Sequence, residues 1–219
     1  MKIVVQIVLW VLIVFLGWKL YDSINGPIKF NEIKEARYAK VIKNLKDIQQ
    51  SQLAYKEITG EFTGSFDSLI AFLDTAKFAI TQRRDTVYAD VERNKAYGVK
   101  EGYYIEGVLI DTLGFVPVRD SLFHGSDRYR TMMNIPIEGV NSTIELQAGH
   151  IERNDIMYAV FEARVPKEVI LHDQNPDLVV QEKAVQSVDA VNGPYIQVGS
   201  MNEINTSGNW PKFYETTRD

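Results

Sequence analysis

The chain has 219 residues, 45% of them hydrophobic and 24% charged, the proportions of a folded protein rather than a disordered one. It contains no cysteine, which excludes a disulfide scaffold, a thiolate zinc site and a cysteine nucleophile together. A net charge of −5 gives no reason to expect nucleic acid as a partner.

The charge is unevenly spread. Residues 1–24 carry a net +1 and residues 25–58 a net +3, whereas residues 59–219 hold 15 basic and 24 acidic side chains. A basic stalk beside an apolar segment, followed by an acidic body, is a membrane-proximal layout.

From Ile3 to Trp18 only Gln6 and Gly17 interrupt an apolar run. As a helix it spans about 24 Å, somewhat less than a hydrocarbon core of about 30 Å, and Lys2 and Lys19 can snorkel outward at its ends. A cleaved signal peptide is the competing reading, but Phe15-Leu16-Gly17-Trp18-Lys19 offers no A-x-A-like site. The expectation is a transmembrane anchor over 1–24, carried by Ile3, Leu9, Trp10, Phe15 and Trp18. Its two-residue head and acidic body favour a body outside the cytoplasmic membrane, although the stalk is the more basic flank.

Asn25-Gly26-Pro27 is a turn signal that should break or kink the chain. A membrane-proximal amphipathic helix is then predicted within 25–60. Tyr38, Val41, Leu45, Ile48, Gln52 and Tyr55 recur at helical spacing on one stripe, and Thr59-Gly60 ends it. That stripe either packs on the protein's own sheet or pairs with a neighbouring helix. Ser65 can cap a short helix reaching about Leu73.

Ala54-Tyr55, Gly60-x-Phe62-Thr63 and Phe66-Asp67-x-Leu69, after an apolar amino-terminal helix, resemble type IV pilins and type II secretion pseudopilins. The likeness covers roughly residues 1–73 and is specific at 54–69. The basic leader, the Gly-Phe processing site and the glutamate five residues into the helix of those families are not in this sequence, and Asn25-Gly26-Pro27 falls where their helix continues. The resemblance therefore implies a pilin-like fold that stays in the membrane. Pro194–Met201 with Gly208-Asn209-Trp210 is similar to the end of uncharacterised envelope proteins of the Bacteroidetes, a likeness that implies no activity.

The body, 61–219, is predicted to be α+β. Near residue 84 the period changes to that of strands: Tyr103–Asp111, Leu113–Phe123, Ser142–Ile151 and Ile156–Val165 read as strands. The last two flank a polar link of hairpin length. Met157, Ala159, Phe161, Ala163 and Val165 share one face, which predicts an antiparallel sheet buried on one side beneath the long helix. Residues 166–191 are ambiguous between strand and helix. Gly193 onward reads as a strand followed by an irregular tail, against which Trp210 should dock on the body or a neighbour.

Catalytic signals are sparse. His124, His150 and His172 show no metal-ligand spacing, and there is no phosphate-binding loop or nucleophile elbow. Asp173-x-Asn175-x-Asp177 opens like a calcium loop but has Leu178 where glycine is needed and Ala184 where glutamate is needed. Arg83-Arg84-Asp85 reads as a charged linker. Tyr103, Tyr104, Tyr195, Trp210 and Tyr214 are candidates for an aromatic surface or for a covered sheet face. No cofactor, no metal and no catalytic residue is expected. The leading expectation is a non-enzymatic, single-pass structural or assembly subunit of a bacterial secretion, motility or surface-fibre complex. It would sit in the cytoplasmic membrane with its main domain in the periplasm, with partners that are other proteins of an envelope complex or further copies of itself. The alternative is a tethered extracytoplasmic ligand-binding or sensory domain.

Overall fold

A computed structural model describes residues 2–100 and 102–214. In chain order its elements are α1 (Lys2–Thr59), α2 (Phe66–Thr75), β1 (Lys77–Ala89), α3 (Val91–Ala96), β2 (Tyr104–Pro117), α4 (Val118–Phe123), β3 (Glu145–Arg153), β4 (Ile156–Pro166), α5 (Lys167–Ile170), α6 (Pro176–Lys183) and β5 (Tyr195–Gly199). The protein is mixed α+β, with a long apolar amino-terminal helix and antiparallel sheets. Two compact units emerge: residues 71–126, and the rest of the chain.

Helix α1 runs on through Pro27, so of the break or kink expected at Asn25-Gly26-Pro27 the break is corrected. A proline removes one helical hydrogen bond, and long helical flanks on both sides tolerate that loss. Nearby, Asn25 Nδ2 donates to the Tyr21 carbonyl at 3.0 Å. The helix stops at Thr59 because Gly60 turns left-handed (φ 87°) and its N–H donates to the Lys56 carbonyl at 2.8 Å. Ser65 then accepts from the Ser68 N–H, as a capping residue of α2.

In the larger unit, β3, β4 and β5 form an antiparallel sheet with β4 central. Asn154 and Asp155 join β3 to β4 with positive φ values of 54° and 60°, the backbone of a two-residue turn that matches strand twist. Helix α1 lies against β4 and β5. Val41, Leu45 and Ile48 of the helix, and Phe161, Ala163, Val165, Ile196 and Val198 of the sheet, are all buried. Met157 departs from the predicted buried face: it is exposed, because it sits at the turn end of β4. The ring of Phe62 stacks on Phe161 at 4.7 Å. Residues 166–191 resolve into the short helices α5 and α6. Trp210 is buried over Gly208, where a Cβ would collide with the indole.

Residues 71–126 are dominated by one long hairpin in which β1 and β2 pair over thirteen positions. Leu113 is the extra residue of a bulge opposite Ile80 and Thr81. Two expectations are corrected here. Arg83-Arg84-Asp85 is the middle of β1 rather than a linker, and the two strands expected at Tyr103–Asp111 and Leu113–Phe123 are one strand that ends at Pro117. Pro117 has no N–H for a ladder, and Val118–Phe123 winds into α4, which ends when His124 adopts a left-handed conformation. At the tip, Asp90 caps α3 by accepting from the Arg93 N–H at 2.9 Å. Asn94 brackets Tyr103 with two hydrogen bonds of 3.0 and 2.8 Å.

Candidate functional site

The apolar third of α1 covers nothing. Ile3, Leu9, Trp10, Phe15 and Trp18 are each more than half exposed, and among the described residues the first buried side chain along the helix is Phe30. This stretch is one helix long and apolar enough to cross a membrane, with a mean hydropathy of 2.4 over its best window and none of that window buried.

The stripe beyond it is spent internally. Tyr38, Val41, Leu45, Ile48 and Gln52 are buried, Tyr55 is half-buried, and little of the stripe is left for a neighbouring helix to grip. Gln52 earns its place among apolar residues by imitating a strand. Its amide Nε2 donates to the Thr63 carbonyl at 2.6 Å, and its Oε1 accepts from the Thr63 N–H at 3.1 Å. That pair pins the turn after α1 back onto the helix.

Lys34, Arg37 and Lys46 of the stalk are likewise used within the unit. Lys34 Nζ lies 3.1 Å from Glu182 Oε2. Arg37 forms a forked pair with Asp173 at 2.5 and 2.8 Å and also donates to the Ile170 carbonyl at 2.9 Å. The guanidinium holds the Asp173 carboxyl well below the usual range, assisted by the Gln174 amide. Arg128 clasps the buried Asp47 at 2.9 and 3.2 Å. Lys40, Lys43, Lys46, Asp47, Arg128 and Tyr214 line an open cleft of about 360 Å³. Burial, and then the carboxylates of Glu35 and Glu182, push the Tyr214 phenol up to about 12.

Behind the stripe lies a buried ionic cluster. Lys167, wholly inaccessible, donates to the Glu182 carbonyl at 2.8 Å, to Glu182 Oε1 at 3.1 Å and to the Val191 carbonyl at 2.7 Å. Tyr38 donates to the same carboxylate at 3.3 Å. Burial lowers the Lys167 pKa against the pull of Glu182, and burial with the Glu182 charge holds the Tyr38 phenol protonated far above its ordinary value. The cluster ties α1, α5, α6 and the loop at Val191 together, and its polar atoms are all partnered within the protein. It is a structural clamp.

The remaining candidates are scattered. His124 ends α4, His150 lies on exposed β3 at 3.9 Å from Glu61, and His172 Nδ1 is 3.2 Å from the Val169 carbonyl. Among the described residues no group of three or more histidines or carboxylates could hold a metal. Asn175 caps α6 through the Asp177 N–H, so Asp173, Asn175 and Asp177 form a polar turn. Tyr103 stacks on Tyr97 at 5.1 Å beneath Arg93, while Tyr195 lies under Arg164 at 4.8 Å.

Strand β1, and with it the hairpin's first half, is what the sequence reading missed. Val87 and Tyr88 on β1, and Val108, Leu109, Ile110, Leu113 and Phe115 on β2, are exposed on both of its faces. Apolar residues on both faces of one strand are the pattern of a strand covered on both sides. The β-branched and aromatic residues of Phe78–Thr81 and Thr86–Tyr88 were the available signal for β1. No family model, no curated protein and no solved structure matches the chain.

Proposed function

We propose that the protein is a non-enzymatic, single-pass membrane protein acting as a structural or assembly subunit of a bacterial envelope complex of the secretion, motility or surface-fibre type. Its anchor would lie in the cytoplasmic membrane and its body in the periplasm. One observation carries the reading: an apolar helical segment with every side chain exposed continues, without a break, into a helix that forms the core of a folded body. Exposing that much apolar surface to water is unfavourable, and a bilayer is the solvent that relieves it. The likeness of residues 54–69 to pilins and pseudopilins supports an assembly role, as does a hairpin whose apolar faces lack cover.

The test is extraction of native membranes with mild detergent, followed by sizing and mass-spectrometric identification of what co-purifies. Recovery in one large stoichiometric complex supports the subunit reading and names the machine. Recovery as a lone monomer refutes it.

A further inference from the structure

The apolar run ends at Trp18, but α1 does not turn polar on every side there. Leu20, Ile24 and Ile28 follow at four-residue intervals and are all exposed, so an apolar strip continues up one side of the helix. From Ile3 to Ile28 the helix rises about 38 Å, more than a hydrocarbon core of about 30 Å and close to the roughly 40–45 Å of a bilayer with its headgroups. In the anchored chain proposed above, the strip brings residues 20–28 to the level of the lipid headgroups.

A groove opens at that height. Ser23, Pro27 and Lys29 of α1, with Asn175, Asp177 and Leu178 at the start of α6, line an open cavity of about 470 Å³. Its polar groups are not spent inside the protein. Among the described residues neither the Lys29 ammonium nor the Asp177 carboxylate has a hydrogen bond or an ion pair, although both line the same groove. The side-chain oxygen of Asn175 accepts from the Asp177 N–H, which leaves the two amide N–H groups of Asn175 to donate. Pro27 has no N–H, so the Ser23 carbonyl one turn below it lacks its helical donor. Farther along α1 the opposite holds: Lys34 and Tyr38 meet Glu182, and Arg37 meets Asp173.

A simple anion or a simple cation satisfies only half of such a groove. A cation and an amide donor, set beside a carboxylate and a carbonyl acceptor, match a ligand that carries both a phosphate and a primary ammonium. We infer that the groove binds the headgroup of an aminophospholipid of the phosphatidylethanolamine type. Lys29 and the Asn175 amide take its phosphate, Asp177 and the Ser23 carbonyl take its ammonium, and its acyl chains run down beside the exposed apolar helix. The site depends on the anchored reading, which is what brings lipid to its mouth.

For the test, the full chain in mild detergent is titrated with dioleoyl phosphatidylethanolamine, phosphatidylcholine or phosphatidylglycerol, and bound lipid is counted by native mass spectrometry. Flotation with vesicles reports separately whether the chain is anchored. One phosphatidylethanolamine is expected to stay bound, roughly tenfold more tightly than either other lipid, because choline offers no N–H and glycerol no cation. Asp177→Asn should bring phosphatidylethanolamine down to the level of phosphatidylcholine, and Lys29→Ala should weaken all three lipids alike. Asp177 gives the α6 cap only its backbone N–H, so Asp177→Asn leaves that cap in place. Equal retention of the three lipids, tighter binding of phosphatidylglycerol, or a preference that survives both substitutions overturns the inference, while a chain that still floats keeps the anchored reading. A chain that does not float refutes both.

Discussion

Replacing Glu182 with alanine is expected to be among the most damaging single changes in the larger unit. Lys167 spends two of its three donors on the carbonyls of Glu182 and Val191, and only the Glu182 carboxylate, 3.1 Å away, neutralises its charge. Removing one partner of a buried ion pair leaves an uncompensated charge, at a cost of about 3–5 kcal/mol. For a unit of this size that corresponds to a fall of roughly 6–20 °C in Tm. The loss should also depend on pH with a definite sign. Burial holds the Lys167 pKa below 10.5, so the unfolded chain binds its proton more tightly and stability rises with pH between the folded value and 10.5. Without Glu182 the folded value drops further, so the deficit relative to the parent should be larger near neutrality than at about pH 10, where it shrinks. Urea unfolding of the full chain in detergent, followed by circular dichroism at both pH values, measures this. The paired change Lys167→Met with Glu182→Leu removes both charges and should cost less than Glu182→Ala alone. A deficit under about 1 kcal/mol, or one equal at both pH values, would refute the reasoning.

The Arg37–Asp173 pair titrates in the opposite sense. Asp173 is held below its ordinary value of 3.8, so its contribution is present above that value and lost as pH falls; Asp173→Asn should converge on the parent in acid unfolding titrations. Gly199 has φ 75°, and a Cβ there would strike the Phe161 carbonyl, so Gly199→Ala should destabilise by about 1–3 kcal/mol from the backbone alone, readable in thermal melts. Leu9→Lys with Leu12→Lys should move the chain from the carbonate-resistant membrane pellet to the soluble fraction, since each lysine at mid-span costs about 2.5–3.5 kcal/mol. That pair leaves the folded body untouched, because Leu9 and Leu12 contribute nothing to its core.

Local signals were legible where they did not depend on distant partners. The apolar run, the stripe from Tyr38 to Gln52, the stop at Gly60 and the Ser65 cap are each written within a few residues, and the structure reproduces them. The β3–β4 hairpin announced itself by alternation around Asn154-Asp155. Strand β1 did not, because Gln82-Arg83-Arg84-Asp85 places four polar residues at its centre and erases the period. Val118–Phe123 is too short to show a helical period, and its valine and phenylalanine read as strand. The fate of the basic face was also hidden: Lys34 and Arg37 find their acids 148 and 136 residues further along the chain. A charge excess that reads as membrane-facing is thus partly an internal seam.

The unbroken α1 has a mechanical consequence. Its 58 residues make a rod about 87 Å long, and the body is built around its far portion. In a bilayer such a rod acts as a lever: a tilt of about 10° at the apolar end displaces the other end by about 15 Å. An apolar stretch of about 24 Å in a hydrocarbon layer of about 30 Å is short, and a short span resists tilting because tilt would shorten its reach still further. If this segment is the membrane anchor proposed above, mismatch would hold the body upright, and membrane thickness would set how high above the lipid it is presented.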